Sequence, residues 1–152
     1  MKKVTFILLI ILNCSCTEED EKLSVDSEVF YGTSFGECTG YCITETRVTG
    51  LDVEVVAKMW FSEEDAQQAE GELTTEQRDG IIEGIDLAKF EALPETIGCP
   101  DCADGGSEWL ELTIGNELKR VTFEYGDSIN GIDDAIEILR AVTEELHPVY
   151  DN

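Results

Sequence analysis

Basic residues are scarce in this chain. It has 10 Lys and Arg against 34 Asp and Glu, which gives a formal net charge of −24 over 152 residues. A protein that binds nucleic acid neutralises phosphates with Lys and Arg, so this composition argues against DNA or RNA as a partner. It also disfavours anionic lipid head groups. It is compatible with a cationic partner, a divalent cation or simply high solubility.

Recognisable catalytic motifs are also missing. His147 is the only histidine, and the sequence contains no G-x-S-x-G, no P-loop and no pair of histidines. With 34 acidic residues, the choice of any two as a glycosidase-like pair would be arbitrary. The sequence leaves enzymatic activity open and favours a non-enzymatic role.

No apolar run is long enough to span a bilayer. The longest is residues 4–12 (VTFILLIIL), directly after Lys2 and Lys3, whereas a membrane span needs about 20 apolar residues. A short positive segment followed by such a run predicts a signal peptide, over residues 1–15. The run stops at two cysteines, Cys14 and Cys16, instead of the small residues of an ordinary cleavage site.

This arrangement resembles the bacterial lipoprotein pattern, which implies acylation of a cysteine and cleavage just before it. Cys16 is the favoured site, because cleavage there leaves four later cysteines, an even number that can pair in an oxidising compartment. Cys14 is the alternative, since Ile11 gives it an apolar residue three positions upstream. A simple secreted protein without lipid is the remaining interpretation.

An acidic run, residues 17–21 (TEEDE), follows Cys16. It resembles the Bacteroidetes-type lipoprotein export signal, which implies an outer-membrane protein at the cell surface. The periplasmic face is the alternative, with residues 16–27 serving only as a solvated acidic tether. Loss of Lys2 and Lys3 would leave 8 basic against 34 acidic residues, a formal charge of −26.

Residues 28–152 are predicted to form a single domain. The apolar content of 42% argues against disorder despite the charge. A domain of this length buries roughly two-thirds of its unfolded surface on folding. Its cysteines are therefore not essential for a core to form.

The first half of the domain predicts strands over residues 28–33, 42–49 and 52–61. Residues 62–72 are predicted to be an exposed loop or weak helix. A helix then begins at Thr74, where Gln77 three residues later completes a capping-box pattern. Residues 86–93 add one or two helical turns before Pro94.

The second half predicts a hairpin and a helix. Strands over residues 109–114 and 117–125 flank Gly115 and Asn116, a loop suited to a tight turn, with Val121, Phe123 and Tyr125 facing Leu110 and its neighbours. Residues 132–146 carry apolar residues at helical spacing. We therefore expect an α+β fold: an antiparallel sheet of about five strands with two helices on one face, in the order ββ(β)αββα.

The remaining cysteines form two local pairs, Cys38 with Cys42 and Cys99 with Cys102. In an exported chain they predict disulfides, with local pairing preferred over cross-pairing. A four-thiolate zinc site is an alternative, although the gap between the pairs exceeds the usual spacing. Redox catalysis at Cys99 and Cys102 (CPDC) is another, although the acids nearby disfavour a thiolate.

The stretch FGECTGYC resembles the Cys-x-Gly-x-Cys signature of a family of uncharacterised small Bacteroidetes-type lipoproteins, in which the motif follows the first strand. Similar domains share GCPDCADGG and a Val-Thr-Phe-Glu-Tyr strand. Ile43 stands where that family often has Pro. The resemblance implies a location and a domain of unknown function, and it implies no activity.

Two loops rich in acid and glycine offer oxygen donors of the kind that Ca²⁺ binds. Neither follows the alternating D-x-D-x-D-G pattern, and the second also fits the capped first turn of a helix. The weak candidates are Asp101, Asp104, Glu108, Asp127, Asn130 and Asp133.

The sequence thus predicts an outer-membrane lipoprotein that acts as a binding or interaction module without catalysis. The membrane is its expected partner through the N-terminal lipid, together with an unknown protein or small molecule. No cofactor is expected, with zinc and calcium as the alternatives above. The competing functions are an extracytoplasmic thiol-disulfide oxidoreductase using Cys99 and Cys102, and a calcium-dependent adhesin or accessory protein.

Overall fold

The computed structural model describes residues 23–25, 27–114 and 117–149. The predicted signal peptide, Cys14, Cys16 and most of the acidic tether lie outside these residues, as does the predicted loop of Gly115 and Asn116. The described elements, in chain order, are β1 Glu28–Ser34, β2 Tyr41–Thr49, β3 Asp52–Met59, β4 Ser62–Glu72, α1 Thr75–Glu83, α2 Leu87–Ala92, β5 Ser107–Ile114, β6 Glu117–Glu124 and α3 Asp133–Glu145.

The strands form one antiparallel sheet in the order β4-β3-β2-β1-β5-β6. The first four strands follow one another as a meander, and the β5–β6 hairpin then pairs with the free edge of β1. Tyr31 on β1 lies between Thr46 on β2 and Leu110 on β5. The α+β class with an antiparallel sheet is confirmed, with six strands and three helices among the described residues.

The prediction for residues 62–72 was wrong: they form the edge strand β4, paired with β3 from Asp52 to Met59. The described side chains of this segment are exposed or only partly buried, so the fold does not require apolar residues there. Its backbone instead supplies the hydrogen bonds that the outer side of β3 requires. Charged side chains on an edge also discourage pairing with another chain.

The opposite edge, β6, is partly covered by the segment that follows α2. Ile97 N–H donates to the Thr122 carbonyl at 2.9 Å, and Thr122 N–H donates to the Glu95 carbonyl at 2.9 Å. These bonds form a short parallel bridge between Thr96 and Thr122. Part of the outer side of β6 is therefore already paired within the chain.

Helix α1 begins as the capping box predicted. The Thr74 hydroxyl accepts from Gln77 N–H at 3.1 Å, and the Gln77 side chain accepts from Thr74 N–H at 2.9 Å. Two glycines, Gly80 within the helix and Gly84 at its C-cap, allow α1 to lie close to α3. A Cβ added to Gly84 would lie 2.6 Å from the backbone nitrogen of Ala135, and one added to Gly80 would lie 2.6 Å from the Ile138 methyl.

Helix α3 crosses the sheet from strand to strand. Arg140 contacts Glu108 on β5, Thr143 contacts Thr46 on β2, and Leu146 just beyond the helix packs on Gly71 of β4. One buried cluster joins this helix, α1 and α2 to one face of the sheet. Its fully buried members include Val29, Tyr31, Val55, Ile81, Phe90, Leu110, Val121, Phe123, Ile132 and Leu139.

Two strands end earlier than the sequence predicts. Tyr125 was predicted to face the core with Val121 and Phe123, but β6 ends at Glu124 and the Tyr125 ring is 48% exposed. The chain turns there at Gly126, whose φ is 83°. Likewise β3 ends at Met59, so Trp60 and Phe61 form a turn and not the end of a strand.

Within the described residues, no helix combines the length and apolar character that crossing a membrane would require.

The close approach of α1 to α3 gives a testable expectation. Gly84→Ala should lower the free energy of unfolding by about 1–3 kcal/mol, because the new methyl meets backbone that cannot move aside. Gly80→Ala is the matched control, since its obstacle is the end of a flexible side chain and Ala gains about 1 kcal/mol of helix propensity over Gly. Urea unfolding measures both. Equal stability of the two variants would contradict the packing described.

Candidate functional site

A cleft of about 520 Å³ opens on the helix-covered face of the sheet, at the end that α1 and α2 leave uncovered. Its walls are the side of α3 that carries Arg140, Glu144 and the following His147, and the ends of β1 and β2 at Thr33 and Thr44. The loop between β1 and β2 forms the rim. The cleft lies between this side of α3 and the two strand ends.

A buried carboxylate lies beside the cleft floor. Glu108 on β5 is 0% exposed, and its two oxygens accept four hydrogen bonds. Oε1 accepts from the Tyr31 hydroxyl at 2.5 Å and from Arg140 Nε at 2.7 Å. Oε2 accepts from Arg140 Nη2 at 2.7 Å and from Gly126 N–H at 2.8 Å. A buried charge is tolerated when it is paired and fully hydrogen-bonded, as here.

The same group fixes the protonation of its neighbours. The pKa of Tyr31 is raised well above its ordinary value, mainly by burial and secondly by the negative charge of Glu108. The hydrogen bonds that Arg140 donates to Glu108 raise the pKa of Arg140 against the opposing effect of burial. Tyr31 is therefore a neutral donor and Arg140 a permanent cation at any physiological pH. The Arg140 side chain remains 30% exposed on the cleft side.

The wall between β2 and α3 is held by hydroxyl groups. Thr46 and Thr143 hydrogen-bond through their hydroxyls at 2.6 Å, and Thr44 Oγ1 lies 3.3 Å from His147 Nε2. Val149 N–H donates to His147 Nδ1 at 3.4 Å, so the neutral ring carries its proton on Nε2. Partial burial lowers the pKa of His147, which favours this neutral form.

The first cysteine pair shapes the rim. Cys38 and Cys42 are joined as a disulfide with their Cα atoms 5.7 Å apart, across the residues that lead into β2. Phe35 lies beside this loop, and its ring meets the Tyr125 ring edge to face at 4.9 Å. Phe35 also packs on Gly106, where a Cβ would lie 2.5 Å from the ring and φ is 84°. The rim is therefore aromatic and fixed.

The second cysteine pair lies in the loop that leads into β5. Cys99 and Cys102 are joined as a disulfide with Cα atoms 5.4 Å apart, and both residues are exposed. Asp101 between them accepts from Gly36 N–H at 3.1 Å, which ties this loop to the first. Local pairing therefore holds for both pairs. The sulfurs are not arranged as the alternative four-thiolate zinc site requires.

The weak calcium candidates are dispersed among other roles. Both carboxylate oxygens of Glu108 already accept hydrogen bonds from Arg140, Tyr31 and Gly126. Asp133 accepts from the Ser128 hydroxyl at 2.8 Å and from Ile129 N–H, so it holds the turn before α3. The Asp127 carbonyl accepts from Arg140 Nη2 at 3.0 Å, while Asp104 and Asn130 are exposed. Within the described ranges, no three His, Cys, Asp or Glu side chains are placed to hold a metal ion.

Sequence reasoning missed the Tyr31–Glu108–Arg140 network, although weak signals for it are present. Glu108 alternates with Leu110 and Leu112 in the strand pattern, which puts an acid on the core face. Arg140 follows Ile136 by four residues on α3, close to the apolar stripe. An acid and a base that both fall on buried faces must be paired somewhere, and the fold brings these two together from positions 32 residues apart.

No known family model matches this chain, and no curated protein matches it either.

Removal of the Tyr31 hydroxyl tests the buried network. Tyr31→Phe should lower the free energy of unfolding by about 1.5–3 kcal/mol near neutral pH, because Glu108 loses one donor. Folding raises the pKa of Tyr31, whereas an unfolded Tyr ionises near pH 10. The stability from this group is therefore complete below about pH 10 and declines above it.

The difference between wild type and Tyr31→Phe should thus shrink by about 1.4 kcal/mol per pH unit above about pH 10. Urea unfolding from about pH 7 to about pH 11 measures it. Tyr125→Phe serves as the control, since that ring is half exposed. An unchanged difference across this range would refute the burial of Tyr31 against Glu108.

Proposed function

We propose that this chain is an exported outer-membrane lipoprotein, exposed at the cell surface, whose folded domain binds a partner and catalyses no reaction. The observation that carries the binding role is the cleft, a concave site with aromatic rings at its rim and polar groups along its walls. Ligand sites typically combine these features. The Cys16 context and the acidic run after it support the location.

The chemistry of the cleft supports binding over reaction. Glu108 already accepts four hydrogen bonds, so it cannot exchange a proton with a ligand without breaking the network that holds β1, β5 and α3. The Thr44 hydroxyl lies beside His147, but the proton on Nε2 points at that hydroxyl. In this tautomer the imidazole donates to Thr44 and is not placed as its base.

The position of the cleft is consistent with an N-terminal anchor. The chain enters the sheet at Glu28, which pairs with Thr49 at one end of β1. Thr33 and Thr44, which line the cleft, pair at the other end. A strand of this length spans about 20 Å, so the cleft lies at the end of the sheet away from the proposed anchor.

A thiol-disulfide oxidoreductase is the alternative that one observation favours, since the Cys99–Cys102 disulfide is exposed. Its surroundings argue against that activity. Cys102 starts a three-residue 3-10 turn instead of an α-helix. The nearby charges are the carboxylates of Asp101, Asp104 and Glu124, the last of which accepts from Cys99 N–H at 2.8 Å. Reactive thiolates need a helix N-terminus or a cation nearby.

Mass spectrometry of the mature protein tests the anchor. We expect an N-terminal Cys16 that carries a diacylglycerol, with residues 1–15 removed. Cys16→Ser should abolish the lipid and the membrane association, whereas Cys14→Ser should leave both intact. An unmodified N-terminus, or Met1 still in place, would reject the anchor. The reverse behaviour of the two variants would move it to Cys14.

Insulin reduction separates the binding role from the redox role. The wild-type chain should show no turnover with dithiothreitol beyond that of the reagent alone. Cys99→Ser should lower the melting temperature through loss of the loop constraint and should leave that background unchanged. Turnover by the wild type that disappears in Cys99→Ser would establish the oxidoreductase in place of the binding module.

A further inference from the structure

The turn between β3 and β4 consists of two large aromatic residues, Trp60 and Phe61. The Phe61 side chain is fully exposed, at 102% of its reference area, and Trp60 is 43% exposed. Turn positions ordinarily carry Gly, Asn, Asp or Ser, each for a conformational reason. Here neither residue has a positive φ, so the backbone conformation does not account for these two side chains.

Folding does not account for Phe61 either. Burial of a Phe side chain stabilises a protein by about 1.5–3 kcal/mol, and a fully exposed ring contributes none of this. The other large apolar side chains that are exposed among the described residues are Val25, Leu51, Leu118 and Tyr125, and none of them is next to another in the chain. Trp60 and Phe61 are consecutive in the chain and both exposed. Two neighbouring exposed aromatic side chains indicate an association surface.

Trp60 is held in place. Its indole N–H donates to the Phe35 carbonyl at 2.8 Å, and Phe35 is itself fixed by Tyr125 and Gly106. A ring that is already ordered loses little conformational entropy when a partner packs on it. Trp is also among the residues that contribute most to binding at protein interfaces.

A mainly apolar groove of about 280 Å³ lies next to the two rings. Its walls include Met59, Gly40 and the Cys38–Cys42 disulfide, which separates it from the cleft. The Ser62 hydroxyl at its edge donates to the Asp65 carboxylate at 2.5 Å, which places a negative charge beside the groove. The nearest lysine on β3, Lys58, is paired with Glu45.

Charge decides which occupant fits. The formal charge of −24 repels a second copy of the chain and an anionic lipid surface alike. The same charge attracts a cationic protein and speeds its association. We propose that Trp60, Phe61 and the adjoining groove form a docking surface for a segment of another protein that carries both basic and apolar side chains.

This inference rests on the proposed binding role but requires neither the anchor nor an occupied cleft. It is tested by calorimetric titration of the full chain, purified as cells produce it, with three synthetic peptides of equal length. One alternates Lys and Leu, one alternates Lys and Ser, and one alternates Glu and Leu. At about 0.15 M salt, where surface charges are screened beyond about 8 Å, the Lys–Leu peptide should bind at least about tenfold more tightly than the others.

The decisive variant is Phe61→Ser. It should reduce the affinity for the Lys–Leu peptide to the level of the Lys–Ser peptide and leave the melting temperature unchanged, because the ring makes no buried contact. Leu118→Ser is the matched control, since this side chain is 66% exposed on the opposite edge strand. Its affinity should stay within about twofold of the wild type.

Four outcomes would overturn the proposal. Unchanged affinity in Phe61→Ser, or equal binding of the Lys–Leu and Lys–Ser peptides, would show that net charge alone accounts for the binding. Phe61-dependent binding of phosphatidylglycerol vesicles would identify a membrane surface. Phe61-dependent dimers in sedimentation velocity would identify a second copy.

These results are separable from the fate of the proposed function. Insulin turnover with Phe61-dependent peptide binding would leave the docking surface and remove the non-catalytic assignment. Absence of insulin turnover together with Phe61-independent peptide binding would keep the non-catalytic assignment and remove the docking surface.

Discussion

The carboxylate of Glu108 has to be neutralised inside the protein, and the groups that do so come from three separate elements. An unpaired buried carboxylate would cost several kcal/mol, so Arg140 of α3, Tyr31 of β1 and the backbone at Gly126 are constrained to meet at one point. This meeting fixes where α3 crosses the sheet. The crossing in turn sets one side of α3 against the ends of β1 and β2, and the cleft lies between them.

The two disulfide loops extend the same end of the molecule. They lie far apart in the chain, yet Asp101 in one accepts a hydrogen bond from Gly36 in the other. Phe35 then connects them to the turn that contains Trp60, through the bond from the indole to its carbonyl. The cleft rim, both cysteine pairs and the aromatic turn thus form one continuous and ordered surface at the end of the sheet away from Glu28.

The sequence predicted the elements whose signals are local. The capping pattern of Thr74 and Gln77 predicts the start of α1, and apolar residues at helical spacing predict α3. Both signals are local, because a cap and a periodic pattern depend on residues close together in the chain. The same reasoning failed for β4, whose polar side chains give no strand pattern because only its backbone is needed by the sheet. It also failed for the pairing of Tyr31 with Glu108, which are 77 residues apart. Such contacts are set by the strand order, which no local pattern encodes.

The two borders of the sheet determine how readily copies of the chain can join edge to edge. One border carries acidic side chains along β4, and the other is partly occupied by the chain itself at Thr96 and Thr122. The charged side chains disfavour pairing of another chain at β4, and part of the outer side of β6 is already paired. Copies of the folded domain should therefore resist fusion into continuous ribbons even at high concentration.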